Sequence, residues 1–354
     1  MLIQGYKKKI PVTESVGLAL AHDITEIRPG ELKCRAYKRG HVIRNNDIEH
    51  LLRLGKEHVF VLNIGRDEIH EDDAAYCLAS ALIGRGVCMD GKPKEGKINM
   101  LAERDGLLKI NSGSLLRFNM IGSVMCATLH NNTLVKKGQI VAGTRAIPLV
   151  VQRRDIENAI SAADHAGKVI EVKELKRPRA GVVITGNEVY TGRIKDAFAP
   201  VITRKIEAFD GELVGIHYSP DDEETITKRL MELIEAGADV LITTGGMSVD
   251  PDDVTRFAIK NLGAADLTYG SGVLPGAMFL IAYIDGGGPD KDPIPIMGLP
   301  ACGIYHKTTV FDLIFPRVLA GEKIGRKELA ELGHGGLCMN CRVCNYPFCP
   351  FGKG

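Results

Sequence analysis

Tryptophan is absent from this sequence, and aromatic residues make up only 5% of it. A surface that stacks the bases of single-stranded nucleic acid needs ring faces, and few are available. An excess of either charge is lacking too: 45 Lys and Arg stand against 44 Asp and Glu, a net charge of +1. So small a field draws in neither nucleic acid nor an anionic membrane. No apolar run approaches the roughly 20 residues that span a bilayer. The N-terminus carries lysines but no apolar stretch of the secretory kind. These absences predict a cytoplasmic protein with no nucleic-acid partner and no membrane partner.

What is present is an ordinary folding composition, 45% hydrophobic and 25% charged, over 354 residues. At ~100–200 residues per domain that length predicts two or three domains. Residues 1–64 read as mixed α+β, with a helix N-capped by Asp47 and a strand at 59–62. Residues 67–83 begin with the acids Asp67, Glu68, Glu71, Asp72 and Asp73 and continue rich in Ala and Leu. Acids complement the positive end of a helix dipole, so a solvated first turn is predicted there. Residues 98–151 alternate in the manner of strands, and 153–164 read as a helix. The polar stretch 173–178 contains a proline and reads as a linker, its basic residues simply solvated. From residue 180 the period becomes strand, helix, strand, helix. Strands at 181–185, 212–217, 240–243, 277–284 and 293–297 alternate with helices at 196–209, from 221, at 252–261 and up to about 320. The predicted fold class is α/β: a doubly wound, mostly parallel sheet preceded by mixed α+β and β-rich modules. The predicted division is 1–64 with 152–176, then 65–151, 177–322 and a Cys-rich tail at 335–354.

Two strand ends carry the candidate chemistry. The apolar run 181–184 stops at Thr185-Gly186-Asn187-Glu188, and the run 240–242 stops at Thr243-Thr244-Gly245-Gly246-Met247-Ser248. In open α/β sheets ligands bind beyond the carboxyl ends of strands. Glycines there allow sharp turns and present backbone N–H groups to an anion. Asp250, Asp252 and Asp253 follow the second loop; Glu188 and Asp196 follow the first. So many carboxylates imply either a divalent cation, most simply Mg²⁺, or amine donors on the ligand, as on a pterin. Asp196 and Asp252 also fit as helix N-caps, which leaves two readings for each.

The segments V-I-T-G-N-E-V-Y-T-G-R-I-K-D at 183–196 and D-V-L-I-T-T-G-G-M-S-V-D-P-D-D-V-T at 239–255 resemble the molybdopterin-binding domain of molybdenum-cofactor biosynthesis proteins. That superfamily holds molybdopterin adenylyltransferases and molybdotransferases. Asp221, Asp222, Leu274-Pro275-Gly276 and Met297-Gly298-Leu299-Pro300 fit the same pattern. The resemblance covers nearly all of 180–320 and, more weakly, 12–62, so that 65–151 would be an inserted module. It implies molybdopterin or the molybdenum cofactor as ligand, with Thr185, Gly186, Asn187, Glu188, Thr244, Gly245, Gly246, Ser248, Asp222, Pro275 and Pro300 binding it. It implies Asp196 and Asp253 as catalytic acids acting with Mg²⁺. Implied partners are molybdopterin or its adenylylated form, molybdate, a client molybdoenzyme and a second copy in a homodimer. The implied function is molybdotransferase-like insertion of molybdenum; a non-catalytic chaperone or sensor is the alternative. Two departures bear on the choice: Asn187 stands where the family has an aspartate, and Ala301-Cys302-Gly303 replaces Gly-Asn-Pro. Cys302 is thereby either a reactive thiol at the mouth or a buried small residue.

The tail places Cys338, Cys341, Cys344 and Cys349 in the spacing C-x-x-C-x-x-C-x-x-x-x-C-P. In a reducing compartment this reads as metal or redox chemistry rather than disulfides. Four thiolates suit a tetrahedral ion such as Zn²⁺, and the spacing sits one residue from an iron–sulfur pattern. Spacing leaves both open. So short and polar a tail is predicted to be mobile without its metal.

Overall fold

The computed structural model describes residues 7–28, 32–62, 64–164, 167–246, 254–286 and 292–354. Its second half is a six-stranded sheet, whose elements are numbered here: β1 Arg179–Thr185, β2 Glu212–Ser219, β3 Val240–Thr244, β4 Ala265–Tyr269, β5 Leu280–Ile284 and β6 Ile294–Leu299. The order across the sheet is β2-β1-β3-β6-β5-β4. The first four run parallel, and β5 and β4 close one edge antiparallel. Ala180 through Thr185 are all buried, as a strand covered on both faces must be. Val182 and Ile184 turn to one side, where they meet Ile202 and Ile206 of helix α1 (Phe198–Glu207). Val183 turns to the other, against Ile226, Leu230 and Leu233 of helix α2 (Glu223–Glu235). Helix α3 (Thr255–Asn261) joins α2, and helix α4 (Val310–Leu319) joins α1. The sheet is therefore covered on both faces, the doubly wound arrangement. Strand β4 had no counterpart in the sequence reading, because Ala265, Asp266 and Leu267 face solvent at the edge and leave no apolar alternation.

Upstream, Lys7–Pro11 pairs antiparallel with His58–Leu62, and Ile24–Arg28 with Leu32–Tyr37. They enclose a small core with helix Asn45–Arg53. Asp47 is not its N-cap. It sits at the third helical position and reaches back to accept the Arg44 N–H at 2.8 Å. Residues 69–172 share one larger core, in which Leu78, Met100, Phe118 and Ala159 are fully buried. Helix Arg153–Asp164 and strand Ile170–Lys173 contribute to it. The acidic run at 67–73 forms a helical first turn only at Glu71, Asp72 and Asp73, of which Asp73 is exposed. Glu68 lies in strand Glu68–His70, and Glu71, which opens helix Glu71–Leu82, is only 2% exposed. Its carboxylate is paired with Arg39 and with Arg145.

The tail packs against the α/β unit rather than hanging free. Leu337 bridges Leu274, and the Cys338 N–H donates to the Leu274 carbonyl at 2.8 Å. Phe351 is 3% exposed in the core beneath α4, with the Tyr346 ring beside it. Apolar burial of two rings supplies an anchor that the polar look of the sequence conceals. No described helix is long and apolar enough to cross a membrane.

Candidate functional site

Strand register brings the predicted loops to one rim. Thr185 pairs with Ser219, Ile184 with Thr244, and Thr244 with Leu299. Gly298 pairs with Leu280, and Leu280 with Tyr269. The segments that follow β1, β2, β3 and β6, and the turn before β5, thus leave the sheet at the same end. The first two walls touch. Thr185 Oγ1 donates to the Thr244 carbonyl at 3.0 Å, and Thr255 Oγ1 donates to the Gly245 carbonyl at 3.2 Å. Gly245 has φ +81°, and a Cβ there would fall 2.5 Å from the Thr185 carbonyl oxygen. Gly246, φ +55°, would drive a Cβ into Thr255 Oγ1. Only glycine permits both the left-handed backbone and the close approach. The hydroxyls of Thr243 and Thr244 are buried and lack partners among the described residues, a condition that native interiors rarely leave unexplained.

The acids are more committed than the sequence implied. The Asp196 carboxylate accepts the Phe198 and Ala199 N–H groups at 2.7 and 3.0 Å, capping α1, and also the Tyr218 hydroxyl at 3.1 Å. Burial, reinforced by that carboxylate, holds Tyr218 above its ordinary pKa. Asp222 caps α2 by accepting the Thr225 N–H at 2.8 Å and its hydroxyl at 2.5 Å, which holds the carboxyl below its usual range. Asn187 and Asp221 clasp each other. The Asn187 N–H donates to Asp221 Oδ2 at 3.0 Å, and Asn187 Oδ1 accepts the Asp221 N–H at 3.3 Å. Glu188 is exposed and folds back toward Gly186. The Pro275 carbonyl accepts the Val310 N–H at 3.2 Å, and the buried Pro300 holds the Gly303 N–H at 2.9 Å. Cys302 is half-buried, and burial pushes its thiol up. Ser248, Asp250, Asp252 and Asp253 lie outside the described residues.

Sequence reasoning missed Tyr218 and Thr255. Each stands within a residue or two of an element end at the rim, the one signal that could have singled them out. It also missed a cavity of about 460 Å³ beside the rim, between α1 and residues 303–307, whose lining includes Arg204, Lys205, His306 and Lys307. A cavity of about 660 Å³ opens at the opposite end of the strands, around Val240 and Ile294. Ligands of open α/β sheets bind at strand carboxyl ends, which favours the rim.

Among the described residues no three His, Cys, Asp or Glu side chains stand close enough to hold a metal ion. The described acids at the rim do not fit Mg²⁺ as a group, since Asp196 and Asp222 are turned onto backbone N–H groups. In the tail, Cys338, Cys341, Cys344 and Cys349 line one cavity of about 170 Å³ without closing on a common point. Cys344 Sγ lies 3.4 Å from Thr308 Oγ1, a hydrogen bond that lowers its pKa.

Residues 181–320 match the family described as a probable molybdopterin binding domain, and residues 9–63 match a domain of unknown function. Similar curated proteins are a CinA-like protein of Mycolicibacterium gilvum, 29% identical over 119 residues, covering 34% of this chain and 28% of the relative. One of Syntrophus aciditrophicus is 42% identical over 81 residues, covering 23% and 19%. The chain spans less than a third of the length of these relatives. Among solved structures, the tungsten cofactor synthesizing protein MoaB of Pyrococcus furiosus is 21% identical with a TM-score of 0.32, covering 41% of this chain and 96% of that one. A molybdenum cofactor biosynthesis protein of the same organism is 14% identical with a TM-score of 0.24, covering 92% and 65%.

Proposed function

We propose that this chain binds molybdopterin, or the finished molybdenum cofactor, at the carboxyl rim of its sheet and acts in molybdenum-cofactor maturation. The observation that carries this reading is the contact between the Thr185–Gly186 and Thr244–Gly246 turns, within the segment of the molybdopterin-binding family. Backbone N–H groups of these turns would face the phosphate, and Ser248 would supply a further hydroxyl donor. Pro275 and Pro300 would bound the pterin. The reaction proposed is molybdotransferase-like: adenylylated molybdopterin and molybdate as substrates, Asp253 as the acid, a cytoplasmic homodimer as the working form. Asp196 supports that chemistry less than it supports helix α1, because both its oxygens accept bonds from protein groups.

A second reading, a chaperone or sensor that holds the cofactor without turnover, is favoured by the engagement of Asp196 and Asp222 as caps and by the Asn187–Asp221 clasp. Calorimetric titration with molybdopterin, paired with an assay of molybdate-dependent AMP release from adenylylated molybdopterin, separates the two. Binding with release abolished in Asp253→Ala supports the enzyme. Binding without release supports the chaperone, and no binding ends both.

A further inference from the structure

The cysteine tail stands apart from the pterin reading and carries an inference independent of it. We propose that Cys338, Cys341, Cys344 and Cys349 ligate a four-iron, four-sulfide cluster in the cavity they share with residues 305–308.

Three observations converge. All four cysteines are free thiols, and all four line the same cavity of about 170 Å³. No three stand close enough to share one ion. A tetrahedral zinc, with Zn–S bonds of about 2.3 Å, would need its sulfurs only ~3.8 Å apart. A cubane core spreads the same four thiolates by its own width, which is what an open space between them accommodates.

The scaffold is fixed by contacts that do not involve the thiols: the Leu337–Leu274 bridge, the Cys338 N–H bond to the Leu274 carbonyl and the buried Phe351. Preorganised ligands lower the ordering cost of binding. Cluster and four thiolates together are anionic, and Lys307 and Arg342 stand in the same lining. Proline follows the last cysteine, as in the ferredoxin pattern. Ligation of a preassembled, dicationic four-iron, four-sulfide core carried by four small thiolates exchanges those four Fe–S bonds for four to the cysteines; the four cysteine protons pass to the departing thiolates, and no electron is transferred. The wall at 305–308 follows β6 and also lines the larger cavity beside the rim. A cluster would therefore brace one side of that cavity.

The test is anaerobic purification of the full chain and reconstitution with a preassembled, dicationic four-iron, four-sulfide cluster carried by small thiolates. Iron and acid-labile sulfide are then assayed, and visible and electron paramagnetic resonance spectra recorded before and after dithionite. About four irons and four sulfides per chain are expected, with a broad visible absorption that dithionite bleaches. Cys→Ser at each of the four positions should remove most of the iron, while Cys77→Ser, in the upstream core, retains it. Circular dichroism of each variant separates lost ligation from lost folding. A colourless protein with one zinc, iron content indifferent to the four substitutions, or no metal on a folded chain would overturn the proposal.

Discussion

Thr185 and Gly245 show how two distant segments become one wall. A hydroxyl on the first strand end donates to the second, and the second turns so tightly that nothing larger than hydrogen fits against the Thr185 carbonyl. Gly245→Ala combines a left-handed φ with that collision, and strain of this kind costs about 1–3 kcal/mol. Urea unfolding should show a loss in that range, with weaker molybdopterin binding in calorimetry. A stability equal to the parent would mean that the turns are not pressed together. Asp196 poses a cleaner choice. Asp196→Ser retains a capping oxygen and should hold stability near the parent, whereas Asp196→Ala should lose about 1 kcal/mol. If the serine variant still turns over, the carboxylate serves the helix and not the chemistry.

At the scale of elements, acids at helix starts do three different jobs that local pattern does not tell apart. Asp222 caps α2, Asp47 reaches back from inside its helix, and Glu71 pairs two arginines. Arg39 comes from the N-terminal hairpin region and Arg145 from strand Ile140–Ala146, so one buried carboxylate ties three segments. Glu71→Ala would leave both guanidinium groups without their shared carboxylate partner. Each arginine is about a third exposed, which places the expected loss near the lower end for a broken buried pair, about 3 kcal/mol. A shift of the urea midpoint at unchanged slope is the readout; a negligible shift would return Glu71 to the role of a solvated first-turn acid.

For the whole molecule, the contact between the upstream module and the α/β unit includes a half-buried ionic cluster. Lys109 of strand Gly106–Ile110 pairs with Glu322 at 2.5 Å, and Arg317 of α4 donates to Glu322 at 2.9 Å. Burial works against the Glu322 carboxylate, but its bonds to Lys109 and Arg317 outweigh burial and leave its pKa below the usual value. Burial lowers Lys109 more than Glu322 raises it. The glutamate therefore contributes stability that is complete above the ordinary carboxyl pKa of about 4.3. That contribution drains away as pH falls toward the lowered value. Melting temperature should drop through this acid window in the parent and drop less in Glu322→Gln. Parallel acid limbs would show that the cluster contributes nothing to the pH dependence.

Sequence alone determined the elements whose signals are local. Apolar runs buried on both faces marked β1 and β3, the 226-230-233 spacing marked the inner side of α2, and the glycines at 186, 245 and 246 marked the turns. It also located the segment 181–320 that matches the family described as a probable molybdopterin binding domain, through short motifs at its strand ends. Tertiary structure decided everything that depends on a partner far along the chain. An acid's sequence neighbours do not say whether it meets solvent, a helix end or two arginines. The solvent-facing edge strand β4 has no periodicity to read. Two rings in a polar tail become an anchor only when a core lies beneath them. Burial and long-range pairing set the energy of those groups, and neither is written in the residues adjacent to them.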